Sequence, residues 1–157
     1  MAYESLDRPD LGGRIHFRFA EPDDVAARYV GPAKLGEQGI ACAYLDAATV
    51  SETEALNSLG LQLRTDHPPY DPNPAAGMKG WYRFMDDLET LSQREAGMTI
   101  IVNNAARLFA EPRSWAFELI EVWVLQLPGW LQRRRPCHLV FQMSPDPHVE
   151  AIYGQGR

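Results

Sequence analysis

Met98-Thr99-Ile100-Ile101-Val102-Asn103 is the stretch on which the fold turns. It is an apolar run without clean polar alternation, so it reads as a strand buried on both faces rather than one with a wet side. Two further runs share this character: Gly39 to Leu45 (GIACAYL) and His138 to Gln142 (HLVFQ). Helical periods separate the three, giving the order strand, helices, strand, helices, strand. The pattern predicts the α/β class, with a small three-stranded, mainly parallel sheet packed against helices.

Working outward, Ser51 followed three residues later by Glu54 reads as a capping box. It opens the helix SETEALNSLG, which Gly60 is expected to close. Residues 65–80 (TDHPPYDPNPAAGMKG) hold four prolines and two glycines and cannot form a regular element. A loop of that length in a compact domain is functional or disordered. Trp81 to Leu91 then divides its faces. Trp81, Phe84, Met85, Leu88 and Leu91 form an apolar stripe, Tyr82, Asp86 and Glu89 lie opposite, and Arg83 and Asp87 form a second outer row able to pair at i, i+4. After the central run, AARLFAE is a short helix ended before Pro112. Ser114 caps a longer one, WAFELIEVWVLQL, expected to stop at Pro128 and Gly129. Being apolar on nearly every side, that helix should be sandwiched between the sheet and a cover.

Near the start, Arg14 to Phe19 alternates at period two, and EPDDVAARY reads as a short helix. The ends, 1–13 and 144–157, are rich in Pro, Gly and charge and read as loosely held tails. The expected organisation is an extension over 1–38, one domain over 39–143 and a tail over 144–157. A chain of 157 residues is sized for one such domain with a full core.

The 15 Lys and Arg against 21 Asp and Glu give a net charge of −6, which disfavours a nucleic-acid coat or an anionic membrane surface. No apolar run is long enough to span a bilayer, and the first 15 residues carry three acids and two arginines with no leader-like run. Cys42 and Cys137 stand apart without metal spacing and read as buried free thiols. The cytosol is the expected compartment. Residues 65–95 hold six acids against Lys79, Arg83 and Arg94, whereas Arg133, Arg134 and Arg135 make a basic turn.

Catalytic chemistry finds little footing. His16, His67, His138 and His148 are scattered without metal-ligand spacing, and no phosphate-cradling GxxxxGK[ST] motif occurs. Adjacent Asp86 and Asp87 diverge by about 100° on a helix and cannot converge on one substrate bond. No catalytic residue, metal ligand or cofactor is assigned, and the chain is expected not to be an enzyme.

The element order, Pro69-Tyr70 opening the loop, GWYRFMDDLETL after it, and the later GMTIIVNNAARLF and PCHLVFQ together resemble the barstar family of intracellular ribonuclease inhibitors over about residues 39–143. Gly80 stands at that family's Asn position, Trp81, Phe84 and Leu88 at its apolar positions and Asp86 at its second acid, whereas its first acid is Tyr82 here. The late-helix acids of the family are apolar here, and residues 1–38 have no counterpart. The resemblance implies a cytosolic inhibitor or immunity protein, monomeric when free, that occludes a cognate toxin enzyme one-to-one. The toxin would be a nuclease with a basic active site, and neither nucleic acid nor membrane would be a direct partner. Tyr70, Asp71, Tyr82, Asp86, Asp87 and Glu89 would be the partner-binding residues. The alternatives are immunity against a non-nuclease toxin, a small hydrolase using His67 with Asp66 and Asp71, and a regulatory module that pairs with a partner through the apolar late helix.

Overall fold

In the computed structural model, residues 13–23 and 39–145 are described. Among these residues four strands and four helices follow one another: β1 Gly13–Phe19, β2 Ile40–Asp46, α1 Glu52–Leu63, α2 Gly80–Arg94, β3 Gly97–Asn103, α3 Ala106–Ala110, α4 Trp115–Gln132 and β4 Cys137–Met143. The class is α/β, with an all-parallel sheet in the order β1-β4-β3-β2. The sheet has four strands where the apolar runs alone predict three. The period-two segment Arg14 to Phe19 supplies the fourth, pairing with β4 from Gly13 opposite Cys137 to Phe19 opposite Met143.

Strand position explains strand composition. β3 and β4 are inner strands, every residue of both is buried, and their sequences lack polar alternation accordingly. On β2, at one edge, Ala41, Ala43 and Leu45 are buried, while Cys42 is half-buried and Tyr44 exposed. One face of the sheet carries Ala43, Leu45, Met98, Ile100, Val102, Leu139 and Phe141, and all four helices join the core built on it. The opposite face makes a small cluster of Ile40, Ile101 and Val140. It also buries polar side chains: Thr99, Asn103, Gln142, His16 and His138, with His16 Nε2 3.0 Å from His138 Nδ1.

Trp81, Trp130, Phe84 and Phe141 are the largest side chains sealed in the helix-side core. Each stabilises the fold by about 1.5–3 kcal/mol through removal of apolar surface from water. Phe109 ties α3 to the sheet, its ring centroid 4.9 Å from that of Phe141 and 5.6 Å from that of Phe17.

Two helix ends differ from expectation. α1 does not stop at Gly60 but runs to Leu63, and Arg64 takes the left-handed cap with φ 57°. α4 does not stop at Pro128 but continues to Gln132. A proline inside a helix removes one hydrogen bond and crowds the carbonyl four residues back, a cost of about 3 kcal/mol, and the fully buried Trp130 beyond it works against that cost. The Ser51 capping box forms as expected, with the Glu54 amide donating to Ser51 Oγ at 3.2 Å. Ser114 sits at the start of α4, but its hydroxyl donates to the Leu108 carbonyl at 2.5 Å instead of capping the helix. The expected helix EPDDVAARY and the two tails lie largely outside the described residues.

Candidate functional site

The Pro-rich loop is held in place from both sides. Asn57, on α1, accepts from the Tyr70 amide at 2.7 Å and donates to the Tyr70 carbonyl at 2.9 Å, so one side-chain amide reads the loop as a strand partner would. The Tyr70 ring lies over Gly60, where an added Cβ would come 2.6 Å from the ring. At the far end of the loop the Gly80 amide donates to the Asp71 carbonyl at 2.7 Å, and a Cβ on Gly80 would meet that carbonyl at 2.5 Å. Gly60 is therefore a packing glycine and not a helix stop.

Inside the loop, the Tyr70 hydroxyl donates to Asp87 and lies 2.7 Å from Thr65 Oγ1. Burial, and then the bond to Asp87, hold this phenol above its ordinary range. His67 Nδ1 sits 2.6 Å from the other Asp87 oxygen. That hydrogen bond and the carboxylate's charge raise the His67 pKa, although the ring itself is exposed. Asp87 thus uses both oxygens on the loop.

The six residues singled out from sequence separate. Tyr70 and Asp87 are buried and bonded to each other, so neither offers a surface, and the outer row of Arg83 and Asp87 does not form. Tyr82 is half-buried, and Asp71, Asp86 and Glu89 are exposed. Asp71 closes its own turn by accepting from the Asn73 amide at 2.9 Å. Trp81, assigned to packing, is buried, with its indole N–H donating to Glu52 at 2.9 Å.

A second candidate position is the carboxyl end of the sheet, where open parallel sheets hold their ligands. Here side-chain amides cross all four strands. Gln142, on β4, donates to the Ala20 carbonyl just past β1 at 2.6 Å and accepts from the Asn104 amide after β3 at 2.8 Å. Asn104, in the left-handed region with φ 54°, donates to Asp46 at the end of β2 at 2.8 Å. The strand ends are tied to each other.

The third feature is the outer side of α4. Phe117, Val124, Leu125 and Leu131 are 46%, 49%, 54% and 42% exposed. Phe117, Val124 and Leu131, with exposed Glu121 and Pro128, follow the spacing 117, 121, 124, 128, 131, a single stripe on one side of the helix with Leu125 beside it. The opposite side buries Ala116, Leu119, Val122, Trp123 and Trp130. The sandwich expected of an all-round apolar helix is therefore only half made by the described residues.

No family model matches the chain, and no curated protein matches it. Solved structures do. The chain is similar to the structure of Drosophila ORC bound to DNA, with a TM-score of 0.51 and 18% identity over 87% of this chain and 33% of that one. It is also similar to the structure of the Aeropyrum pernix ORC2 protein in ADPNP-ADP complexes, with a TM-score of 0.54 and 12% identity over 92% of this chain and 38% of that one. The chain spans about a third of the one neighbour and 38% of the other, and at such identities what is shared is the fold.

These neighbours overturn the barstar resemblance. With it fall the reading as a ribonuclease inhibitor or immunity protein, the toxin partner and its 1:1 occlusion, the free monomer, the exclusion of nucleic acid and the hydrolase alternative. The physical reason is that the order of apolar runs and helices is common to parallel α/β sheets in general. Of the six residues expected on an inhibitor's contact surface, Tyr70 and Asp87 serve the interior. Sequence reasoning missed Asn57, Asn104 and Gln142. For Gln142 and Asn104 the available signal was an amide at the very end of an apolar run.

Proposed function

We propose that this chain is an assembly module: an α/β scaffold that joins other chains through the outer face of α4 and carries out no chemistry of its own. The observation that carries this reading is the row of exposed Phe117, Val124, Leu125 and Leu131 left open on α4, the longest of the described helices. Contiguous exposed apolar side chains on a folded domain mark interaction sites. The tied strand ends support the same reading, because the Gln142 and Asn104 amides occupy positions where a sheet of this kind receives its ligand. So does the sequence, which has no GxxxxGK[ST] phosphate loop.

The neighbours bear on the setting. One is Drosophila ORC bound to DNA, the other an ORC2 protein in ADPNP-ADP complexes, and this chain's fold covers about a third of each. The reading makes this chain one part of a larger arrangement of chains in the cytoplasm, a compartment supported by its two free cysteines. Burial pushes the Cys137 thiol well above its usual range, which suits an inert packing residue.

The test is size-exclusion chromatography of the tagged chain in host extract. The unsubstituted chain should elute well above its own 17.7 kDa, and a variant with Val124→Ser and Leu125→Ser should elute as a lone folded chain. Elution of the unsubstituted chain at its own mass, or no change in the variant, overturns the reading.

A further inference from the structure

Resting on the assembly reading, we infer that the occupant of the α4 face is a second copy of this chain, packed antiparallel across a two-fold axis. The stripe 117, 121, 124, 128, 131 advances by four and three residues in turn, the spacing at which two helices pack side by side along a seam. Leu125 lies beside it, also exposed. A stripe of this kind fits another helix better than a flat surface.

Charge selects the partner and its direction. Along α4 the acids Glu118 and Glu121 lie in the N-terminal half, whereas Arg133 and Arg134 follow its C-terminal end, and Glu121, Arg133 and Arg134 are exposed. A parallel pair would set acids against acids and arginines against arginines. An antiparallel pair with its axis near Leu125 and Gln126 brings Glu118 of each copy level with Arg133 of the other, and places Phe117 and Leu131 at the two ends of a shared apolar strip. Opposed helix dipoles favour the same direction. One patch that satisfies itself in this way is the isologous interface of a two-fold dimer.

The area sets the strength. Four side chains, each about half exposed, offer on the order of 400 Å² of apolar surface per copy, against about 800 Å² per partner in a stable complex. The pair is therefore weak, with a dissociation constant in the micromolar range, and is strengthened where other chains of the assembly hold the copies together.

Sedimentation equilibrium of the purified full chain, from low to several hundred micromolar, decides the matter, with circular dichroism confirming the fold of each variant. The mass should rise with concentration toward twice the 17.7 kDa of one chain. Leu125→Glu should abolish the rise. The pair of substitutions Glu118→Arg and Glu121→Arg should weaken association roughly 10-fold or more, as should Arg133→Glu with Arg134→Glu, and an equimolar mixture of the two variants should associate again. A monomer at every concentration, charge reversals without effect, or a mixture that fails to recover would each overturn the proposal. Should the purified chain stay monomeric while the assembly in host extract persists and is lost with Val124→Ser and Leu125→Ser, self-pairing alone is wrong and the α4 face belongs to a different chain.

Discussion

Asp87 shows how one buried carboxylate can organise a loop. Its two oxygens take the Tyr70 hydroxyl and the His67 ring, and Tyr70 is gripped at its backbone by Asn57. A buried hydrogen-bonding group left without its partner costs about 1–3 kcal/mol, so the members of this cluster depend on one another. His67 adds a pH dependence of definite sign. Folding raises its pKa above the ordinary 6.5, so the folded chain holds the proton more tightly than the unfolded one. The resulting stabilisation is complete below pH 6.5 and disappears as the pH rises through the folded value. We therefore expect His67→Gln to lower the urea midpoint at about pH 5.5 and to leave it nearly unchanged at about pH 8.5, the ring's exposure to solvent keeping the effect modest. Equal effects at both pH values would contradict the pairing. Periodicity placed Asp87 on an outer row because it counts only the helix's own turns. The inward pull comes from Tyr70, 17 residues away in the chain and brought close by the fold.

At the scale of elements, α4 separates what local rules can and cannot say. Pro128 and Gly129 are helix-stopping residues by propensity, yet the helix passes through them to Gln132. Tertiary packing decides: Trp130 lies two residues from the end and is fully buried, so ending the helix at Leu127 would forfeit that contact. Trp130→Ala should cost about 3–5 kcal/mol in urea unfolding and should fray the turn after Pro128, seen as faster amide exchange over residues 129–134. A loss below about 1 kcal/mol would mean that the turn stands on its own. Strand readings fared better because β3 and β4 are central and carry their burial openly in sequence. β1 was visible as a period-two segment, but its place beside β4 was not, since pairing across more than a hundred residues leaves no local signature.

For the whole molecule, the α/β class and the parallel sheet were legible from the order of apolar runs, because connections between parallel strands demand helices. Family and partner were not. The same order of elements serves many functions, and the resemblance it prompted gives way to a fold shared with ORC chains. The site was half legible. An apolar helix that asks for a cover on both sides can be read from α4, but only the packed structure shows that Trp123 and Trp130 face inward while Val124 and Leu125 face out. That division is the basis for reading the chain as an assembly module, and it can be probed in place. A Val124→Cys chain in a Cys42→Ser, Cys137→Ala background would be treated with a maleimide reagent in intact host extract and, separately, as dilute purified protein. Leu61→Cys on α1, where Leu61 is 68% exposed, serves as the reference. The account predicts that position 124 is protected in extract and labelled in the dilute protein, while position 61 is labelled in both; equal labelling of position 124 in the two settings would contradict it.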